Sequence, residues 1–230
     1  TGLGHYAIAH HCPLLLCGMG RHVVLLGDSI GTMQGISRGR GFLDKVQQEL
    51  GPHDIKVENW SVGGATAAAV VGQLPALRKK LASCVVAGSE LVVVIELGGN
   101  DRMFGLPPAQ IEKALEMLVA AVQEARATPM VMEVIPDGIE RDVAERCKVR
   151  LVPTPPRLKA AMKEPIRRGT IPDIAPGYVQ SDGIHPNTQA QKHIAKTLIV
   201  ALSEHFGLGL DVPSEEESPN CLRNSPCSLQ

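Results

Sequence analysis

Residues 23–31 read VVLLGDSIG, and the rest of the chain is organised around this stretch. Four consecutive apolar residues predict a short strand that is buried in a sheet. Gly27 ends the strand, and Asp28 and Ser29 lie in the turn before an amphipathic run that starts near Gly41. A serine at such a strand-to-helix turn, close to a helix N-terminus, is a candidate nucleophile. The alternative interpretation is an ordinary turn in which Asp28 or Ser29 caps a helix.

Strands and helices alternate along the rest of the chain. Apolar and alternating runs predict four further strands, at residues 55–62, 91–97, 130–135 and 149–152. Apolar residues three or four apart predict helices, at residues 42–50, 66–81, 107–122 and 158–166. Pro75 is expected to bend the second helix. A last helix is expected to be capped by Asn187 and to end near Gly207. This order of elements predicts an α/β domain with a mostly parallel sheet and helices on both faces.

The composition limits the classes of protein that need to be considered. A chain of 230 residues can bury one sizeable core, and its 44% hydrophobic and 20% charged residues are typical of a soluble globular protein. The formal net charge of −1 argues against a nucleic-acid partner. No apolar run reaches the length of a membrane span, so stable membrane insertion is not expected. The six cysteines form no zinc-like pairs.

Polar residues follow several of the predicted strands at the point where each strand ends. Ser29, Gly64 and Asn100 each come directly after a strand. Because the carboxyl ends of parallel strands meet at one edge of a sheet, these residues are expected to lie close together. Asp182 and His185 precede the last helix, and their spacing lets the carboxylate accept a hydrogen bond from Nδ1 of the imidazole. Nε2 could then take a proton from the serine hydroxyl.

Attack on a carbonyl also requires donors that stabilise the developing oxyanion. The candidates are the backbone N–H groups of Ser29 and Gly64 and the side-chain amide of Asn100. Taken singly, Asp182, Asn100 and Gly64 are each typical of an ordinary turn, and His185 of a surface residue. Their combination, in this order and at strand ends, favours a hydrolytic site.

Four sequence blocks resemble those of the GDSL, or SGNH, hydrolase family. They are GDSI, NWSVGGAT, GGND and DGIHPN, at residues 27–30, 59–66, 98–101 and 182–187. The longer stretches VIELGGNDRMFGLPP and SDGIHPNTQAQKHIA are similar to the family's bacterial branch of arylesterases and multifunctional acyl-CoA thioesterases/lysophospholipases. The resemblance extends from about residue 22 to residue 206.

The resemblance implies a flavodoxin-like three-layer αβα sandwich, the SGNH hydrolase fold. It implies that Ser29, Asp182 and His185 form the catalytic triad, and that Ser29, Gly64 and Asn100 form the oxyanion hole. It implies neither a metal ion nor an organic cofactor.

Three departures from the branch bear on the substrate. Ile30 replaces the leucine of the family name, and Ala65 stands where the thioesterase branch usually has an aspartate. Residues 136–177 do not match the substrate loops of the branch.

These observations together predict a serine esterase that acts on small acyl esters through an acyl-enzyme. Short- to medium-chain carboxylic esters are the expected substrates, with aryl esters, acyl-CoA thioesters and lysophospholipids as variants. The alternatives are a carbohydrate O-acetylesterase of the same superfamily and a non-catalytic flavodoxin-like binding module.

We expect residues 21–210 to form the hydrolase domain, residues 1–20 a flexible leader and residues 211–230 a disordered tail. The sequence leaves the oligomeric state open. It also leaves open the choice between a cytoplasmic and a periplasmic or secreted location.

Overall fold

The computed structural model of the chain describes residues 20–85 and 89–210. The predicted tail lies outside the described residues, as does the predicted leader apart from Gly20. No helix in the described ranges is both long enough and apolar enough to cross a membrane.

Five parallel strands form one sheet within the described residues. They are β1 (Arg21–Gly27), β2 (Ile55–Asn59), β3 (Glu90–Glu96), β4 (Thr128–Met132) and β5 (Arg150–Val152). Their order is β2-β1-β3-β4-β5, so the chain reverses its direction of travel across the sheet between β1 and β3. A reversal of this kind opens a crevice at the carboxyl ends of the two strands, where α/β proteins bind ligands.

Helices cover both faces of this sheet. They are α1 (Phe42–Leu50), α2 (Ala67–Val71), α3 (Leu74–Cys84), α4 (Gly99–Met103), α5 (Pro108–Glu124), α6 (Ile139–Cys147), α7 (Pro156–Ala160) and α8 (Thr188–Phe206). Helices α1 and α8 pack together on one face, whereas α2, α3, α5 and α6 pack on the other. The arrangement confirms the predicted three-layer αβα fold and its parallel sheet.

Successive residues of the central strands point alternately into two separate apolar cores, one on each face of the sheet. Val23 and Leu25 of β1 join the core under α1 and α8, whereas Val24 and Leu26 join the core on the opposite face. A strand buried on both faces has no polar side to display, because each side chain meets a layer of helices. Burial of both faces therefore explains why β1 appears in the sequence as an unbroken run of apolar residues.

Helix α8 is held by the cap that the sequence predicts. Oδ1 of Asn187 accepts hydrogen bonds from the backbone N–H groups of Gln189 and Ala190, at 2.9 and 3.1 Å. The helix ends at Phe206, before Gly207 in the left-handed region with φ 63°. Because the cap fixes the first turn of α8, it also fixes the direction from which His185 approaches the sheet.

The structure corrects three predictions of secondary structure between residues 55 and 166. The predicted helix over residues 66–81 is two helices, α2 and α3, and Pro75 lies in the first turn of α3 rather than at a bend. Proline is well tolerated there because the first N–H groups of a helix have no partner within it. Strand β2 ends at Asn59, three residues before the predicted end, and the helical piece predicted at 158–166 is the shorter α7.

Two further differences concern the Ser29 region and α6. No helix begins at Ser29, since the chain makes hydrogen-bonded turns through residues 28–35 and α1 begins at Phe42. Helix α6 is not predicted from the sequence, because its buried stripe consists of few apolar residues among many charged ones.

A matched pair of substitutions in α8 tests the packing of this layer. Leu198 is completely buried, whereas Val200 is 37% exposed on the same helix. We expect Leu198→Ala to lower the free energy of unfolding by about 2–5 kcal/mol, because it leaves a cavity between α8 and the sheet. Val200→Ala should change it by no more than about 0.5 kcal/mol. Urea denaturation measures both values, and equal losses would contradict the assignment of faces.

Candidate active site

Ser29, His185 and Asp182 form a continuous chain of hydrogen bonds at the carboxyl edge of the sheet. Nε2 of His185 lies 2.9 Å from Oγ of Ser29, and Nδ1 lies 2.6 Å from Oδ2 of Asp182. Oδ1 of Asp182 accepts the backbone N–H groups of Ile184 and His185, at 2.9 and 3.0 Å. The chain therefore joins residues 156 positions apart in the sequence.

The hydrogen bonds to Asp182 favour its ionised form. The Ile184 N–H, the His185 side chain and the His185 N–H lower the pKa of Asp182 to about 2. A carboxylate that stays charged near neutral pH selects the imidazole tautomer with a proton on Nδ1. The lone pair on Nε2 then faces the serine hydroxyl.

The turn that carries Ser29, here called the Ser29 turn (residues 28–31), is anchored by two carboxyl groups. Oδ1 of Asp28 accepts the N–H of Ile30 at 2.9 Å. Oε2 of Glu96 accepts the N–H groups of Asp28 and Gly31, at 3.2 and 3.0 Å. The Ser29 N–H donates to no atom of the described residues.

Gly64 lies in the loop that follows β2. Its φ of +76° is in the left-handed region, and nothing lies within 4 Å of the position a Cβ would take. Glycine adopts this conformation without the cost that a side chain would bring. The Gly64 N–H, like that of Ser29, has no acceptor within the described part of the chain.

Asn100 connects the Gly64 loop to the Ser29 turn. Its Nδ2 donates to Oδ2 of Asp28 and to the carbonyl oxygen of Ala65, both at 3.0 Å. Because both partners are acceptors, the orientation of the amide group is fixed by chemistry. The structure thus joins Asn100 to the Ser29 turn and to Ala65, the residue after Gly64, and both amide hydrogens of Asn100 are engaged.

The two residues after Asn100 hold the surrounding segments in place. Oδ2 and Oδ1 of Asp101 accept the N–H groups of Ala67 and Ala68, at 2.8 and 3.2 Å, and so anchor the start of α2 next to the Gly64 loop. The guanidinium group of Arg102 is buried and makes paired hydrogen bonds with Asp137 and Glu140.

Burial raises the pKa of several carboxyl groups in and beside the site. Burial raises the pKa of Asp28 to about 6, although the Ile30 N–H opposes the change. Burial and the nearby Asp28 raise the pKa of Glu96 well above its usual range. Burial raises the pKa of Glu140 to about 7 even though Arg102 lies beside it.

An apolar pocket opens directly beside Ser29 and His185. It contains about 790 Å³ of space between protein atoms, part of which is open to solvent. Most of its lining comes from the ends of β4 and β5 and from the segment between β5 and α8, including Met132, Leu158, Met162, Ile171, Ile174 and Tyr178. A second, more open groove adjoins Gly64 and shares no lining residue with this pocket.

Glu96, Asp101 and Arg102 are not predicted from the sequence as parts of the site. A signal for Glu96 was present, since a carboxyl group interrupts the most apolar strand of the chain and ionisable residues are rarely buried without a reason. Asp101 and Arg102 carry no such signal, because their partners lie on other elements. In the described ranges, no cluster of three His, Cys, Asp or Glu side chains could hold a metal ion.

A three-layer αβα fold with a Ser–His–Asp hydrogen-bond chain at the carboxyl edge of its sheet is the architecture of a serine hydrolase. The chain belongs to the GDSL-like Lipase/Acylhydrolase family, whose model matches residues 25–193. This membership confirms the predicted family and the prediction that the chain is an esterase of the GDSL type.

Named relatives agree with this assignment. The chain is 29% identical over 184 residues to Esterase TesA of Pseudomonas aeruginosa, which covers 76% of this chain and 85% of the relative. It is 28% identical over 179 residues to Thioesterase 1/protease 1/lysophospholipase L1 of Escherichia coli, with 75% and 79% covered. A crystal structure of TesA superposes with a TM-score of 0.62 at 27% identity, covering 80% of this chain and 98% of that one.

The raised pKa of Asp28 predicts a pH-dependent contribution to stability. Because its pKa is about 6 in the folded chain and 3.8 ordinarily, folding takes up a proton between these values. The contribution of neutral Asp28 is complete below about pH 4 and is lost as the pH rises through about 6. The stability of Asp28→Asn relative to the wild type should therefore increase from pH 4 to pH 7, as measured by urea denaturation. A difference that stays constant over this range would contradict the prediction.

Proposed function

We propose that this esterase uses Ser29 as nucleophile, His185 as general base and acid, and Asp182 as the residue that orients the imidazole. The observation that carries the proposal is the hydrogen-bond chain from Ser29 Oγ through His185 to Asp182, beside an apolar pocket. A serine hydroxyl is a weak nucleophile, and a base within hydrogen-bonding distance is the usual means of activating it.

In the acylation step, Oγ of Ser29 attacks the carbonyl carbon of the ester, and its proton passes to Nε2 of His185. Asp182 stays ionised and stabilises the imidazolium ion through Nδ1–H. The tetrahedral intermediate then collapses as Nε2 passes the proton to the leaving group. The proton goes to the oxygen of the alcohol in an ester, or to the sulfur of the thiol in a thioester. In deacylation, a water molecule loses a proton to Nε2 and attacks the acyl carbon. The bond between this carbon and Oγ then breaks, the acid leaves, and Nε2 returns the proton to Oγ of Ser29.

The oxyanion of the tetrahedral intermediate requires donors that are already oriented. The N–H groups of Ser29 and Gly64 suit this role because no acceptor among the described residues occupies them. Asn100 is the third donor in this proposal. Its Nδ2 would exchange the contact with the Ala65 carbonyl for one with the oxyanion, while the contact with Asp28 keeps the amide group in place.

The pocket favours an acyl chain as the group bound next to Ser29. Its lining is mainly aliphatic and methionine side chains, which gain free energy by excluding water from a hydrocarbon chain. We therefore propose short- to medium-chain acyl esters as substrates, with thioesters and lysophospholipids as variants suggested by the relatives' names. A carbohydrate O-acetylesterase is less well supported, because the pocket offers few aromatic side chains on which a sugar could stack. Those in its lining are Tyr178 and His185.

Replacement of Ser29 tests the mechanism and the substrate class together. Ser29→Ala should lower kcat by about 10⁶, because removal of a triad nucleophile leaves only the other contributions to catalysis. The measurement is hydrolysis of nitrophenyl acetate, butyrate, octanoate and palmitate. Turnover by the wild type should be greatest for butyrate or octanoate.

The matched control is Ser83→Ala, which removes an exposed hydroxyl that donates to the Lys80 carbonyl in α3 and should leave turnover unchanged. Wild-type turnover by Ser29→Ala would overturn the mechanism. Preferential turnover of acetylated sugars by the wild type would instead support the carbohydrate esterase.

Replacement of Asn100 tests the third donor. Asn100→Ala should lower kcat by about 10²–10³, the usual effect of removing one oxyanion donor. The KM should change much less, because the lost interaction forms only as charge develops on the oxygen. Steady-state kinetics with nitrophenyl butyrate separate the two constants. A loss that lies wholly in KM would assign Asn100 to substrate binding.

A further inference from the structure

The Ser29 turn has an unusual pattern of backbone hydrogen bonds. Of its four consecutive N–H groups, those of Asp28 and Gly31 donate to Oε2 of Glu96, and that of Ile30 donates to Oδ1 of Asp28. The Ser29 N–H remains without an acceptor in the described residues. The carboxyl groups thus fix the peptide units around Ser29 and leave its own N–H available.

Glu96 reaches the turn because the two strands are in register. Gly27 of β1 is paired with Glu96 of β3, so the carboxyl group starts one residue below the turn. A Cβ on Gly27 would collide with Oε2 of Glu96, and a Cβ on Gly31 would collide with the side chain of Ser61. The absence of a side chain at Gly27 therefore leaves the space that the Glu96 carboxyl group occupies, and its absence at Gly31 leaves the space for Ser61.

The environment of Glu96 is costly for a carboxyl group. The side chain is completely buried, no Lys, Arg or His of the described residues forms an ion pair with it, and Oε1 has no hydrogen-bond partner there. Burial of a carboxyl group without a cation lowers stability unless hydrogen bonds compensate. The two bonds to the turn are those that this carboxyl group makes. A costly residue whose side-chain hydrogen bonds all go to one turn points to a role in that turn.

We propose that Glu96 is a positioning residue for the esterase reaction. Its Oε2 holds the peptide units on both sides of Ser29, so that the Ser29 N–H faces the oxyanion and Oγ stays within reach of His185. The inference rests on the proposed function, because Glu96 acts only by positioning Ser29 and takes no part in the reaction itself. What matters in this role is an acceptor oxygen at the right distance from two N–H groups.

Two variants of Glu96 separate the effect of side-chain length from the effect of the carboxyl group. Glu96→Gln keeps an acceptor oxygen at the same distance, so it should keep most of the wild-type kcat. Glu96→Asp keeps the carboxyl group but withdraws it from the turn by one methylene. It should lower kcat by about 10²-fold with little change in KM, since displacement of reacting groups by about 1 Å has effects of that size. The charge-conserving variant is thus expected to be the more damaging one.

The experiment measures kcat and KM for nitrophenyl butyrate, together with the rate at which an organophosphonate labels Ser29. All measurements are made below the melting temperature of the least stable variant. Leu81→Ala is the matched control, because Leu81 is completely buried on the α3 face and does not line the pocket beside Ser29. It should lose stability while its kcat and labelling rate stay at the wild-type values.

The outcomes distinguish this inference from the proposed function. The inference is overturned if Glu96→Asp keeps the wild-type kcat, or if Glu96→Gln falls as far as Glu96→Asp. It is also overturned if the loss in Glu96→Asp lies in KM or is matched by Leu81→Ala. Activity retained by Ser29→Ala would overturn the proposed function instead, whatever the Glu96 variants do.

Discussion

The parallel pairing of β1 with β3 is the interaction on which the site depends. It places Gly27 opposite Glu96 and brings the Ser29 turn beside the segment that carries Asn100. A shift of one residue would send every side chain of β3 to the opposite face of the sheet. Close packing on both faces opposes such a shift, because each β3 side chain would move into a space shaped for a different residue in the other core. The packing of the sheet thus secures the geometry of the polar site at its edge.

The other half of the site comes from the far end of the chain. Asp182 and His185 precede α8, which packs on α1 and is capped by Asn187. The hydrogen bond between His185 and Ser29 therefore forms only when the last helix has docked. The apolar pocket has the same dependence, because much of its lining lies between β5 and α8. The apolar pocket and the hydrogen bond between Ser29 and His185 therefore form together.

Much of the fold could be predicted because its signals are local. Strands buried on both faces appear as apolar runs, and three of the four sequence blocks lie where parallel strands end. Helix α6 could not be predicted in the same way, since its identity depends on burial of a few apolar residues against α5 and β4. The partners of Asn100 and Arg102 were equally hidden. A hydrogen bond between residues far apart in sequence leaves no periodic pattern behind.

The buried Arg102 illustrates how such a contact affects the design of the enzyme. Asp137, which Arg102 binds, also accepts the N–H of Gly169 at 2.7 Å, close to the pocket residue Ile171. Through Asp137, the buried arginine therefore anchors the segment that leads into this wall of the pocket to α4, the helix that carries Asn100. A pocket wall attached at its base in this way can exchange its apolar side chains while the reacting groups stay where they are. Substitutions of the residues that line this wall can therefore change which acyl group fits the pocket, while the positions of Ser29 and His185 stay the same.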